Sequence, residues 1–218
     1  MSGFTFWDIL WNLILAARWT IVLSLVTFVF GSVVGLSILF MRISRGLFTR
    51  SLAKFYIEIF QGTPLLMQLF LAFFGLALFG IDVPAWLAAT LGLTLWSASF
   101  FAEIWRGCVQ AVSDGQREAS ASLGLGWYQT QIYVVFPQAI LLSIPPTVGF
   151  LVQIVKATAL TSIIGFTDLL KAGSVISNNT FEPFLVYGLV ALLYFLLCWP
   201  LSLSSFHIER KLNGTSGN

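Results

Sequence analysis

Few side chains in this sequence could carry out acid–base, nucleophilic or metal chemistry. The one histidine is His207, and the two cysteines, Cys108 and Cys198, stand alone in apolar surroundings. Catalysis needs a nucleophile, an acid or base, or several metal ligands that converge in one pocket. Because no such set is present, the sequence argues against an enzyme, and we predict no metal and no cofactor bound by this chain itself.

A polar segment with helix-start and helix-stop signals stands out instead, at residues 113–124, SDGQREASASLG. Ser113 followed by Gln116 forms a capping box at a helix start; alternatively Asp114 is the cap. Gly124 can adopt the left-handed conformation that commonly ends a helix. A helix this short is marginal alone, and small side chains line much of its surface. We therefore expect it to pack into a groove on a partner protein.

The rest of the chain is too apolar for a water-soluble domain. Only 9% of its 218 residues are charged, and 58% are hydrophobic. A soluble domain carries about 25% charged residues, so lipid must solvate most of this surface. The net charge of +2 is too small to indicate nucleic acid binding. We predict one all-α transmembrane domain over residues 1–212, and a flexible tail over 213–218.

Five segments are long and apolar enough to cross a membrane as helices, which takes about 20 residues each. The predicted spans are 19–41, 59–81, 83–102, 139–155 and 183–206. Before the first span, Phe4–Leu15 suits a separate helix that lies in the membrane interface. After the fourth, Leu160–Phe166 is too short to span, and we expect a short helix on the outer face or dipping into the bundle.

The distribution of lysine and arginine predicts the orientation, because cytoplasmic loops carry an excess of both. In a five-span arrangement, only Arg18, Lys156 and Lys171 fall on one side. The others fall on the opposite side: Arg42, Arg45, Arg50, Lys54, Arg106, Arg117, Arg210 and Lys211. The N-terminus is therefore predicted outside and the C-terminus in the cytoplasm, with a long cytoplasmic loop over residues 103–138.

The spacing of residues in that loop resembles the EAA loop of ABC-importer permeases. The family pattern is EAA, three residues, G, nine residues, then I-x-L-P. Here Glu118-Ala119-Ser120, Gly124 and Pro137 stand at that spacing, while Ser120, Val134 and Phe136 are mild departures.

Four further segments are similar to the polar amino acid permeases in particular. Residues 62–70, GTPLLMQLF, resemble that family's RGTPLLVQLF, with Gln61 in place of the arginine. Residues 103–107, EIWRG, and 136–139, FPQA, resemble its AEI-x-RG and LPQA stretches. Residues 156–160, KATAL, resemble its KDTSL, with alanine in place of the aspartate.

The resemblance implies a permease subunit of an ATP-driven amino acid importer in the bacterial inner membrane. In that family two permease subunits, identical or related, form the pathway, and an external solute-binding protein delivers the amino acid. Two cytoplasmic ATPases bind ATP and Mg²⁺; this chain lacks the G-x-x-x-x-G-K-[ST] phosphate loop of such an engine. The short helix would be the coupling helix in the ATPase cleft. The expected ATPase-contact residues are Asp114, Gly115, Glu118, Ala119, Ser120, Leu123, Gly124 and Pro137.

Several polar residues near the spans are candidates for the substrate pathway, each with a purely structural alternative. They are Gln61, Thr63, Pro64, Gln68, Glu103, Gln153, Lys156 and Thr158. Pro64 predicts a kink in span two, with Thr63 bonding to freed backbone groups. Gln61 and Gln68 are expected to face the bundle interior, since either would be costly against lipid.

Charged residues at the ends of the spans have two interpretations each. Glu58 and Glu103 each have a basic neighbour at helical spacing, Lys54 and Arg106, which favours interfacial ion pairs. Gln153 or Lys156, at the outer end of span four, could hold the carboxylate of an amino acid, but a lysine at a span end also snorkels to the interface.

An ion-gradient-driven secondary transporter or channel is the alternative function. It would usually show carboxylates at membrane depth or an internal repeat, and neither is evident in the sequence.

Overall fold

A computed structural model of the protein describes residues 5–215, and its regular structure there is entirely helical. The α-helices are α1 (Phe6–Ile43), α2 (Leu47–Gly62), α3 (Leu65–Phe70), α4 (Leu76–Leu78), α5 (Ala85–Ala111), α6 (Asp114–Ser122), α7 (Trp127–Thr130), α8 (Phe136–Thr158), α9 (Leu169–Thr180) and α10 (Pro183–Thr215). Two π-helical turns, Leu71–Gly75 and Gln131–Val135, join α3 to α4 and α7 to α8. A 3₁₀ turn, Ala159–Ile164, continues α8. Residues 216–218 of the predicted tail lie outside the described residues, and 213–215 continue α10.

The first helix is longer than predicted, because the segment before the first span does not form a separate interfacial helix. Thr5 and Asp8 cap α1 reciprocally, with Asp8 N donating to Thr5 Oγ1 at 3.3 Å and Thr5 N to Asp8 Oδ2 at 2.9 Å. Ile9 and Leu13 are buried in a cluster with residues of α9 and α10. This packing makes the start of α1 part of the bundle. Phe4, the first residue of the predicted interfacial helix, lies outside the described residues.

Small residues bring α1 and α5 into close contact. A Cβ atom on Gly31 would collide with Ser97 Oγ. A Cβ on Gly35 would lie 2.8 Å from Phe101 Cβ and 3.0 Å from the carbonyl oxygen of Ala98. Glycines four residues apart on one helix let two backbones approach inside a membrane, where packing rather than water drives association.

The second predicted span is not a single helix. Residues Leu47–Gly62 and Leu65–Leu78 are bent by 102° at Thr63-Pro64. Four other helical segments in the described chain are long and apolar enough to cross a membrane, and the number reaches five when this bent pair counts as one span.

The fourth span is also longer than predicted. One continuous helical segment runs from Trp127 to Ile164 and includes the polar residues 127–131 that the sequence placed outside the membrane. This segment also includes most of Leu160–Phe166, which is therefore not a separate helix. The segment ends at Gly165, whose φ is 91°. The polar start is accommodated because Thr130 and Gln131 are buried.

Candidate functional site

The short helix α6 begins and ends where the sequence predicts, with Ser113 in the N-cap position, but its start lacks the expected side-chain cap. Within the described chain the Ser113 side chain makes no capping hydrogen bond, so the predicted capping box is wrong. Its end is as expected: Gly124 has φ of 75°, and Leu125 N donates to Ser120 O at 3.1 Å. These bonds satisfy carbonyls that a helix end leaves free.

One face of α6 is fixed to the body of the protein. Ser120 is buried, and its hydroxyl donates to Arg117 O at 2.7 Å and lies 3.0 Å from Thr130 Oγ1. Arg117 Nη2 donates to the carbonyl oxygen of Val109, in α5, at 2.7 Å. The helix is therefore attached to both α5 and α7. Ser120 packs inside the chain, which corrects its predicted place on the surface that meets a partner.

The opposite face of α6 is open. Glu118 and Ala119 are exposed, as are Asp114 and Gly115. Leu123 follows the helix with 81% of its surface exposed. A bare leucine beside small residues is the surface expected of a helix that seats in a partner's groove.

Pro137 lies apart from this face, as the second residue of α8. It is exposed and follows the π-turn Gln131–Val135. Proline has no N–H to donate and its ring crowds the preceding turn, and the wider π-turn just before it, of the single-turn kind found inside α-helices, gives that ring room. Its position therefore gives Pro137 a structural role in α8.

One polar residue at the break after α2, Gln68, replaces hydrogen bonds that the helix loses there. Pro64 has no N–H, so the carbonyl of Phe60 lacks its usual helical donor. Gln68 Nε2 supplies one at 2.9 Å and also donates to Thr63 O at 3.0 Å. Thr63 Oγ1 donates to Ile59 O at 2.7 Å, but that oxygen already accepts from Thr63 N at 3.1 Å, so the freed carbonyl is satisfied by Gln68 and not by Thr63 as predicted. The bonding by Gln68 was not predicted, although a glutamine one turn after a proline is the signal for it.

The two glutamines do not share one environment. Gln68 is half-buried, and its Oε1 is buried without a hydrogen-bond partner in the described structure. Gln61 is exposed on this chain, although its amide donates to Ser99 O, in α5, at 3.1 Å. Both amides therefore bond within the bundle, but only Gln68 is half-buried in this chain.

The glutamates at the span ends form the ion pairs that their spacing predicts. Glu103 Oε2 lies 2.6 Å from Arg106 Nη2, and Lys54 Nζ lies 3.4 Å from Glu58 Oε1. Arg42 adds a partner from α1, with its Nε 3.7 Å from Glu103 Oε1. This second contact joins residues distant in sequence, so helical spacing could not reveal it.

The three substrate-pathway candidates near the C-terminal end of α8 do not line one common site. Gln153 and Lys156 are exposed, whereas Thr158 is fully buried and donates to Val155 O at 2.8 Å. Gln153 and Lys156 are therefore accessible on the surface of this chain, whereas the Thr158 hydroxyl is not.

A buried acid that the sequence did not single out lies close to this end of α8. Asp168 is fully buried, caps α9 through Lys171 N at 2.9 Å, and accepts from Tyr194 OH at 3.0 Å. Leu169 N donates to Thr20 Oγ1 at 3.1 Å, so α9 is held against α1 as well as α10. Burial raises the pKa of Asp168 above its ordinary value.

Known proteins with this sequence pattern and fold are transport permeases. The family described as "Binding-protein-dependent transport system inner membrane component" matches residues 34–214. The chain is 35% identical to the probable amino-acid ABC transporter permease protein YckA of Bacillus subtilis, over 88% of this chain and 85% of that protein. It is 31% identical to the L-cystine transport system permease protein TcyB of Bacillus subtilis, over 96% and 88%.

Solved structures of ABC transporters share this fold. A crystal structure of an amino acid ABC transporter with histidines superposes with a TM-score of 0.89 and 34% identity, covering 92% of this chain and 94% of that one. The MetNI methionine ABC transporter, at 21% identity and a TM-score of 0.76, shares the fold. The chain belongs to the family of inner membrane components of binding-protein-dependent transport systems, the permease subunits of ABC transporters.

Proposed function

We propose that this chain forms part of the transport pathway of an ATP-driven amino acid importer. In this proposal α6 is the coupling helix, which a separate ATPase moves. The observation that carries the coupling role is the two-sided character of α6. One side presents Glu118, Ala119 and Leu123 to a partner, and the other is bonded into the chain through Ser120.

The attachments of α6 define how a movement would travel. Arg117 ties it to α5 through Val109 O, and Ser120 ties it to α7, which is continuous with α8. A rigid shift of α6 would therefore displace two membrane helices together. Rigid-body movement of packed helices is a common way to switch between two openings of a transporter.

The proposed assembly follows the family. Two permease subunits enclose the pathway, two ATPases bind ATP and Mg²⁺, and an external solute-binding protein delivers the amino acid. The excess of arginine and lysine beside α6 supports a cytoplasmic position for that end and an outer N-terminus. Names of relatives such as YckA support an amino acid as the substrate.

The coupling role is tested by replacing Leu123 with aspartate. Leu123 is mostly exposed, so the change leaves the permease folded. A charge forced into an apolar groove should weaken ATPase binding roughly thirtyfold, the effect of losing a hot-spot contact near 2 kcal/mol. The measurements are co-purification with the cognate ATPase and ATP hydrolysis stimulated by each amino acid in reconstituted complexes.

Leu123→Met is the matched control, since it keeps an apolar side chain of similar volume and should bind the ATPase normally. Normal ATPase binding by Leu123→Asp would refute the coupling role. Uptake that persists without ATP would instead support an ion-gradient mechanism.

A further inference from the structure

A basic cavity lies at the end of the bundle that carries α6. It has a volume of about 220 Å³ and is lined by four arginines from α1, α2, α5 and α6: Arg42, Arg50, Arg106 and Arg117. Trp127 and the buried Gln131 complete the wall on the side of α7. The cavity is large enough for a tetrahedral anion.

The carboxylates around this cavity do not balance its charge. Glu103 pairs with both Arg42 and Arg106. Asp114 lies 3.8 Å from Arg117 Nε, but its side chain is 94% exposed on the rim. Arg50 is exposed and forms no ion pair within residues 5–215. Arg42 Nε is buried there with an ion-pair partner 3.7 Å away but no hydrogen bond, so both donors favour an anionic acceptor.

An apolar groove adjoins the basic cavity. It has a volume of about 510 Å³, lies between α1, α5 and α8, and includes Leu39, Trp105 and Phe136 in its walls. Val109 lines both spaces. A single ligand with a charged head and an apolar chain could therefore occupy the two together.

We propose that the two spaces bind one anionic phospholipid, with its phosphodiester among the arginines and an acyl chain in the groove. Arginine forks match phosphate oxygens in pairs, and basic pockets between membrane helices bind anionic headgroups on the cytoplasmic side. The adjoining groove favours a lipid over free phosphate. Leu47 and Phe48, which are 83% and 81% exposed at the start of α2, are further apolar surface beside Arg50.

The position of this lipid links it to the proposed coupling helix. The side chain of Arg117, which bonds α6 to α5, would also bond to the lipid headgroup. The proposal goes beyond the transport function, since the cavity and its arginines do not depend on which solute is carried.

The test measures phosphatidylglycerol retained by the full chain after nanodiscs of phosphatidylcholine and phosphatidylglycerol are dissolved, using native mass spectrometry. Each arginine at a membrane surface changes affinity for anionic lipid by about fivefold. We expect Arg50→Gln to lower retention by about fivefold and Arg42→Gln with Arg50→Gln by about 25-fold. Arg50 is exposed, so its single variant reports on binding without disturbing the fold.

Controls separate a specific site from general charge attraction. Lys54→Gln and Arg210→Gln remove equal charge on the predicted cytoplasmic side without lining the cavity, and both should retain the lipid. Ser143→Phe places a ring in the apolar groove, which Ser143 lines, and should expel the acyl chain.

Three results would overturn the proposal. If the Arg50→Gln and Lys54→Gln variants retain equal amounts of phosphatidylglycerol, the cavity is not a specific lipid site. Displacement by inorganic phosphate, with no effect of Ser143→Phe, would assign the cavity to a free anion. Loss of the lipid when the ATPase binds would assign the arginines to an acidic surface of that partner.

Discussion

Replacing Gln68 with leucine should destabilise the permease, because Gln68 supplies the donor that Pro64 removes. The variant loses the bonds from Nε2 to Phe60 O and Thr63 O, at 2.9 and 3.0 Å. Hydrogen bonds in membrane proteins contribute about 0.6 kcal/mol on average, and a carbonyl left unsatisfied costs more. We expect a loss of about 1 to 2 kcal/mol, which is roughly a tenfold change in the unfolding equilibrium.

Reversible unfolding in mixed micelles, followed by circular dichroism, measures this change. Gln61→Leu is the matched control: its amide makes one bond, to Ser99 O at 3.1 Å, from an exposed side chain, and we expect a smaller loss. Combining Gln68→Leu with Pro64→Ala isolates the cause. Alanine restores an N–H and allows the backbone of residues 63 and 64, which is extended here, to continue the helix and donate to Phe60 O, so the cost of losing Gln68 should fall in that background.

Two outcomes would contradict this reasoning. If Gln61→Leu and Gln68→Leu cost the same, the bonds at the break would carry no special weight. If the effects of Pro64→Ala and Gln68→Leu simply added, Gln68 would not be compensating for the proline.

Three further predictions test other features. Gly124→Ala should destabilise the end of α6 by about 1 kcal/mol, seen as faster amide exchange there, because its φ is 75°; Gly126→Ala, at φ of −69°, should not. The raised pKa of Asp168 means that the folded protein holds this proton more tightly than the unfolded chain. Stability should therefore fall as pH rises from the ordinary aspartate range through the raised value, and an Asp168→Asn variant should lack this decline in pH-dependent unfolding. Gly35→Ala should cost about 1 to 3 kcal/mol in mixed-micelle unfolding, since the new Cβ meets Phe101, whereas Gly107→Ala has open space and should cost nothing.

The sequence predicts best the features that depend on local chemistry. The end of α6 follows from Gly124, whose conformation any other residue would resist. The ion pairs of Glu58 and Glu103 follow from helical spacing. The apolar segments predicted as spans three and five lie within α5 and α10, which continue beyond residues 102 and 206, because apolar length alone indicates a candidate span.

The features that were missed depend on contacts between distant residues. Burial of Ile9 against α9 and α10 makes the start of α1 part of the bundle, and nothing near Ile9 in the sequence shows this. The inward position of Ser120 depends on Thr130, in another helix. The proline pattern predicts a bend at Pro64, but not its 102° angle.

The glycine contact between α1 and α5 limits where this molecule can deform. Gly31 and Gly35 lie directly against Ser97, Ala98 and Phe101 of α5 with no side chain of their own between, so neither helix can slide along the other without losing the fit. We therefore expect α1 and α5 to move together as one rigid unit. The flexible point is then the junction at Thr63-Pro64, where bonds from the Gln68 side chain replace those of the backbone. Any opening and closing of a pathway should pivot there.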